Sequence, residues 1–158
     1  MMDPIVELKV RAERMQKQQA AAAKALVMRR KHCLAAVAQE HGFPSWSHAL
    51  RAMGGDPGET ELGTLLYDPR SGAFLHPWFA LYDEARAAFD TQAARGRPYL
   101  LGFRRQFFLA ERTFVETLGL DPDDADWSAI GWDWARPLDP AARRRLYGKR
   151  LAVLRGDR

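Results

Sequence analysis

The ten residues HGFPSWSHAL, 41–50, leave the backbone few paths. Gly42 can take the left-handed conformation that ends a helix, and Phe43 can fold back onto the last turn. Pro44 has no amide hydrogen and blocks continuation. Ser45 suits the cap of a new helix, in which Trp46, Ala49, Leu50 and Met53 recur at i, i+3, i+4 and i+7. Upstream, Leu34, Val37 and Ala38 form the inner face of a helix from about Arg30 to His41. Asp3-Pro4 supplies the first helix with a cap and a first residue. Ile5, Leu8, Ala12 and Met15 then fall on one stripe, with Lys9, Arg11, Arg14 and Lys17 mostly outside it. The helix either continues through the alanines that follow or breaks near Ala20. The spacing thus predicts a three-helix unit over residues 1–53, followed by a linker at 54–60 that contains GGDPGE.

Beyond the linker the patterning changes. LGTLLYD, PRSG and AFLHPWF read as a hairpin with a four-residue turn, and ALYDEARAAFDTQAA as a helix with Leu81, Ala85, Ala88 and Phe89 inward. PYLLGF and QFFLA, separated by two arginines, give the strongest hairpin signal in the chain. The helix ERTFVETLG ends at Gly119. Asp121-Pro122 and Asp139-Pro140 repeat the Asp-Pro opening of the first helix. The expected class is α+β: a three-helix unit, then residues 61–158 with a small antiparallel sheet of two hairpins packed with helices.

Charge is segregated along the chain. Leu8–Lys31 holds eight Lys or Arg and one acid, and Ala141–Arg158 holds seven and one. Asp56–Asp90 carries seven acids against two arginines, and Glu111–Pro140 eight against two. Basic ends around an acidic middle fit a polyanion-binding face, ends packed on the middle, or pairing of two copies. No apolar run approaches the roughly 20 residues that span a bilayer. The first residues, MMDPIVELKVRAERM, show no apolar signal core, and the single Cys33 excludes an internal disulfide. A cytosolic protein without a membrane partner is expected.

A DNA-reading helix-turn-helix places its second helix in the major groove. Val37, Ala38 and Phe43 suit such a motif, but His41, His48 and Arg51 stand where apolar residues belong. The helix SWSHALRAM offers only Ser47, His48 and Arg51 for polar reach, a poor set for base readout. A structural corner pinned by the large, stiff ring of Trp46 accounts for more of the stretch. LKVRAERM followed by HCLAAVAQEHGFPSWSHAL resembles a short helical module of some bacterial glyoxalase-superfamily-related and ankyrin-repeat proteins. That module carries a Gly-Phe-x-x-Trp corner, matched here by Gly42, Phe43 and Trp46, over roughly the first 53 residues. The resemblance implies no catalytic role. The glyoxalase fold itself needs paired βαβββ units with His and Glu ligands, an arrangement not found after residue 60.

Ligand and nucleophile spacing argues against several specific chemistries. His32, Cys33, His41 and His48 fit no structural zinc pattern, and the histidines read as surface or capping residues. Cys33, one turn before Val37, reads as a core residue. DPDDADW fails as a calcium loop, since the sixth and twelfth places hold Asp126 and Trp132; Asp121 reads instead as a helix cap. GRPYLLGFRRQFFLAER mixes arginine and aromatics as single-stranded nucleic-acid binders do, yet alternation assigns the rings to one face and the arginines to a turn. No phosphate-cradling loop, nucleophile elbow or His-Glu-x-x-His pair is found. In GWDWARP, Trp132 and Trp134 would share one face of a strand with Asp133 opposite, forming a pocket or a core clamp, and Asp133 beside Arg136 reads as a functional pair or, the commoner outcome, a surface ion pair.

The expected function is binding by a small cytosolic bacterial protein, with a protein partner or a second copy, and with no catalytic residue, metal or cofactor. The surfaces expected to carry it are the basic helix near residues 9–17 and a set comprising His76, Trp78, Trp127, Trp132, Asp133 and Trp134. A second reading is nucleic-acid binding, with Arg11, Arg14, Lys17, Arg29, Arg30 and Lys31 on phosphates. A third is an enzyme of unrecognised type with a pocket around His76, Trp78, Trp132 and Asp133.

Overall fold

The computed structural model describes residues 3–22, 30–56, 58–67 and 69–156. Helix α1 spans Pro4–Ala22, with the Asp3 carboxylate accepting from the Ile5 amide at 2.9 Å. Its course past Ala22 lies outside the described residues. Helix α2, Arg30–Glu40, ends at Gly42 with φ +80°, and the Phe43 amide returns to the Ala38 carbonyl at 3.0 Å. Helix α3, Trp46–Gly54, is capped by Ser45, whose hydroxyl accepts from the His48 amide. The corner thus forms as its sequence dictates. Trp46 is half-buried against the core, while His48 is held by Ser45 and Arg51 by Ser47 and Glu59.

Among the described residues there is a three-stranded antiparallel sheet in the order β1-β3-β2, from β1 Trp78–Phe79, β2 Tyr99–Phe103 and β3 Gln106–Ala110. Helix α4, Tyr82–Ala93, lies between β1 and β2 in sequence; α5 Arg112–Thr117, α6 Ala125–Ala129 and α7 Pro140–Arg155 follow. The architecture is α+β with an N-terminal three-helix unit. The β2–β3 hairpin turns at Arg104, whose φ is +53°, as the two arginines predicted.

The first expected hairpin does not form. PRSG lies in a 3-10 turn, Pro69–Ala73, and β1 pairs with β3 instead. Leu62, Leu65 and Leu66 are the buried leucines of the preceding stretch, at helix-like rather than alternating spacing. Residues 62–63 are tied to the hairpin tip by Leu62 N to Arg104 O at 2.8 Å and Arg104 N to Gly63 O at 2.7 Å. Gly102 permits this crossing, because a Cβ there would lie 2.2 Å from the Leu62 side chain. Asp121-Pro122 also opens no helix. The Asp121 carboxylate accepts from Asp123 N in a turn, and Asp124 caps α6.

Alternation along the sheet separates two apolar layers. Tyr99, Leu101, Phe108 and Ala110 join one large cluster with Leu8, Val37 and Met53 of the first three helices, Phe43 of the corner between α2 and α3, Trp127 of α6, Trp134 of the turn after it and Tyr147 of α7. Leu100, Leu109, Phe107 and Phe79 face the other way, onto Ala85 and Phe89 of α4. The first three helices and the sheet and helices that follow therefore share a core among the described residues. Leu81, expected inward, is 60% exposed.

Candidate functional site

The GWDWARP stretch is a turn, not a strand. Gly131 and Trp132 have φ of +69° and +54°, and Asp133 makes an isolated parallel bridge with Leu100. Leu100 N donates to Trp132 O at 2.8 Å, and Trp134 N to Leu100 O at 2.9 Å, closing the outer edge of β2. The sequence placed both indoles on one face of a strand. The left-handed Trp132 separates them.

Trp127 and Trp134 are wholly buried, with ring centroids 5.9 Å apart. The indole of Trp127 donates to Asp121 O at 3.0 Å, and that of Trp134 lies 3.4 Å from the Tyr147 hydroxyl. Both are core side chains closed to a partner. Trp132 is half-buried, with the Arg97 guanidinium 3.8 Å above its ring.

His76 and Trp78 lie on the Phe108 side of the sheet, at 5.0 and 4.6 Å from its ring. Burial pushes the His76 imidazole below its ordinary pKa. Asp133 contacts Tyr82, which packs on the opposite apolar layer with Phe107. The four-residue pocket of His76, Trp78, Trp132 and Asp133 is thus divided by the sheet, and that enzyme site is not assembled.

What converges on Asp133 was missed in the sequence. Its carboxylate is 1% exposed and accepts from the Tyr82 hydroxyl, from Arg86 Nη1 at 3.0 Å and from the backbone amide of Arg136 at 2.9 Å. The expected surface pair with Arg136 is therefore a buried carboxylate met by the Arg136 main chain, with α4 supplying the cation. Burial, then the bond to Asp133, push the Tyr82 phenol up to about 12. The Arg136 guanidinium instead lies over the Tyr82 ring at 3.9 Å.

Beside this joint opens a cleft of about 280 Å³. Leu62, Leu81 and Phe107 supply apolar surface, Tyr82 and Ala135 a wall, and Glu59, Arg105 and Arg136 the charge. The Glu59 carboxylate is already engaged by Arg51 at 3.0 Å and by the Glu61 amide at 3.0 Å. Arg105 stands 3.8 Å from Glu61 and is largely exposed. Among the described residues no carboxylate pairs with the Arg136 guanidinium. The cleft's uncommitted charge is therefore positive.

The basic ends behave otherwise. Arg11 turns inward, to Glu7 at 3.1 Å, His41 Nε2 at 3.2 Å and Leu151 O at 3.1 Å. Because guanidinium only donates, His41 Nε2 is the acceptor. His41 is buried, not a surface histidine, and burial, then the charge of Arg11, lower its pKa to about 4. Arg30 pairs with Glu13, whereas Arg14, Lys17 and Lys31 are exposed; Arg29 lies outside the described residues. On α7, Arg144 meets Asp3, Arg145 and Lys149 meet Asp126, and buried Arg143 and Arg150 donate to main-chain carbonyls. On α7, Arg145 and Lys149 thus meet acids of the middle segment, whereas Arg14, Lys17 and Lys31 stay exposed.

Among the described residues no cluster of three or more His, Cys, Asp or Glu is placed to hold a metal ion, and no helix is long and apolar enough to cross a membrane. No family model, no curated protein and no solved structure matches the chain.

Proposed function

We propose that this chain works by binding another protein, and that it does so at the cleft between the start of α4, the β2–β3 turn and residues 135–136. The observation that carries this reading is an apolar cleft whose guanidinia at Arg105 and Arg136 are not matched by free carboxylates of its own. Exposed Leu81 at the rim adds apolar surface that folding leaves uncovered. Catalysis has less support at the same place. The Tyr82 proton is held by a buried carboxylate, and that carboxylate is occupied by three donors.

Strand pairing with a second copy is a weaker form of the idea, because the open edge β1 is two residues long. Nucleic-acid binding by the basic ends is weaker too. Arg11 is turned inward, and the α7 cations Arg143, Arg144, Arg145, Lys149 and Arg150 are engaged within the chain. Selection of phage-displayed random peptides on the full chain tests the reading. Peptides should be enriched on the native protein and lost on Leu81→Asp, an exposed change that spares the core. Enrichment indifferent to Leu81→Asp would place binding elsewhere, and steep loss of binding to DNA or RNA with added salt would favour the phosphate reading.

A further inference from the structure

We infer that the cleft is built for one large apolar side chain flanked by carboxylates, so that its partner is an acidic, apolar peptide segment. This rests on the reading that the cleft is the binding face. A cleft of about 280 Å³ falls at or below the roughly 300–1,000 Å³ of small-molecule and cofactor sites. It suits a single anchoring side chain laid against Leu62, Leu81 and Phe107.

The guanidinia decide what should flank that anchor. Arg136 is pre-set: its guanidinium carbon sits 3.9 Å from the centre of the Tyr82 ring, and the Tyr82 hydroxyl is pinned to Asp133. A planar donor fork held this way loses little freedom on meeting a carboxylate, and the fork matches two carboxylate oxygens at once. Arg105 is mobile by comparison, since its side chain is mostly exposed and its nearest acid, Glu61, stands 3.8 Å away. Two cations of different stiffness on one rim favour an acid at the fixed position and tolerate one at the looser position. Asp83 and Glu84, exposed in the first turn of α4 and close to Leu81 in sequence, repel carboxylates there. The partner's acids should therefore lie toward Arg105 and Arg136.

The same peptide selection, followed by fluorescence-anisotropy titration of enriched synthetic peptides, tests this separately. Leu81-dependent peptides should carry Asp or Glu within a few residues of Phe, Trp, Leu or Met. Arg136→Gln should weaken them about tenfold or more, as should replacing the peptide acids by amides. Arg136→Gln keeps the main-chain amide that Asp133 uses, so a melting curve like that of the native protein checks the fold. Charge-swapped peptides, with Lys for Glu, should recover affinity on the Arg105→Glu, Arg136→Glu double variant. Leu81-dependent peptides without acidic residues, or ones that bind Arg136→Gln unchanged, would overturn the acidic preference and leave the cleft as binding face. Absence of any Leu81-dependent enrichment would overturn both.

Discussion

At the scale of single residues, His41 shows how burial turns a charge pattern into a pH dependence. The imidazole sits under the α2–α3 corner, accepts from Arg11 and is packed out of water. Burial first, and then the neighbouring charge of Arg11, disfavour the imidazolium, lowering its pKa to about 4 from 6.5 ordinarily. Between those values the unfolded chain binds more protons than the folded one. Stability must therefore fall as pH drops from about 6.5 to about 4, by up to about 3 kcal/mol, and stay level with respect to this group above 6.5. Urea denaturation at a series of pH values should show that slope. His41→Gln, which keeps an acceptor for Arg11, should flatten most of it. Some slope should persist, because His76 is also lowered by burial. The Asp126 carboxylate, lowered chiefly by Arg145, acts in a separate window: its contribution is present above about 3.8 and is lost below it. An unchanged slope in His41→Gln would assign the effect to other groups.

At the scale of elements, α4 is the outlying layer, and Asp133 is its polar anchor. The helix packs on the sheet through Ala85 and Phe89, while Tyr82 and Arg86 of its first turns reach the buried carboxylate. Asp133→Ala would take the acceptor from three donors, of which Arg86 keeps its existing pair with Asp90. Removing a buried carboxylate from such a set should cost about 2–4 kcal/mol, whereas Tyr82→Phe removes one donor and should cost about 1 kcal/mol. Equal losses for the two variants in urea denaturation would mean that the anchor is the phenol rather than the carboxylate. This joint also marks where reading the sequence stopped. Local chemistry was legible: Asp3-Pro4 and Asp139-Pro140 open helices, Gly42 and Phe43 end α2, and the arginine pair turns the β2–β3 hairpin. What failed was local chemistry with two solutions. Asp121-Pro122 could cap a helix or make a turn, and the leucines 62, 65 and 66 satisfy burial without forming a strand. Tyr82 and Arg86 were invisible as partners of Asp133 because about 50 residues separate them, and no periodicity links such positions. The cleft, made by four separate stretches, had no local signature at all.

At the scale of the whole molecule, the question is whether the first three helices are an appendage or a wall of the core. Three polar ties join them to α7: Arg11 to Leu151 O, Arg144 to Asp3, and Arg143 to Ala52 O at 2.6 Å. Leu8, Val37, Phe43 and Met53 share one apolar cluster with Leu101, Phe108, Trp134 and Tyr147. Buried Arg143 sharpens the point. Its guanidinium gives one hydrogen bond to Trp134 O and one to Ala52 O, so removing the helices takes away one of these two acceptors, a loss that adds to the exposed apolar area. A two-unit chain would unfold in two steps; a shared core requires one. Far-UV circular dichroism and tryptophan fluorescence should therefore give coincident urea transitions for the full chain, even though the buried indoles Trp127 and Trp134 both lie after residue 60. A fragment beginning at Thr60 should keep the hairpin sequence but lose the cooperative transition and bind a hydrophobic dye, since the face of α7 that packs on α1 and α3 would be open to water. If that fragment unfolded cooperatively with a midpoint close to that of the full chain, the helices would be an added module and the shared cluster a contact of little energy.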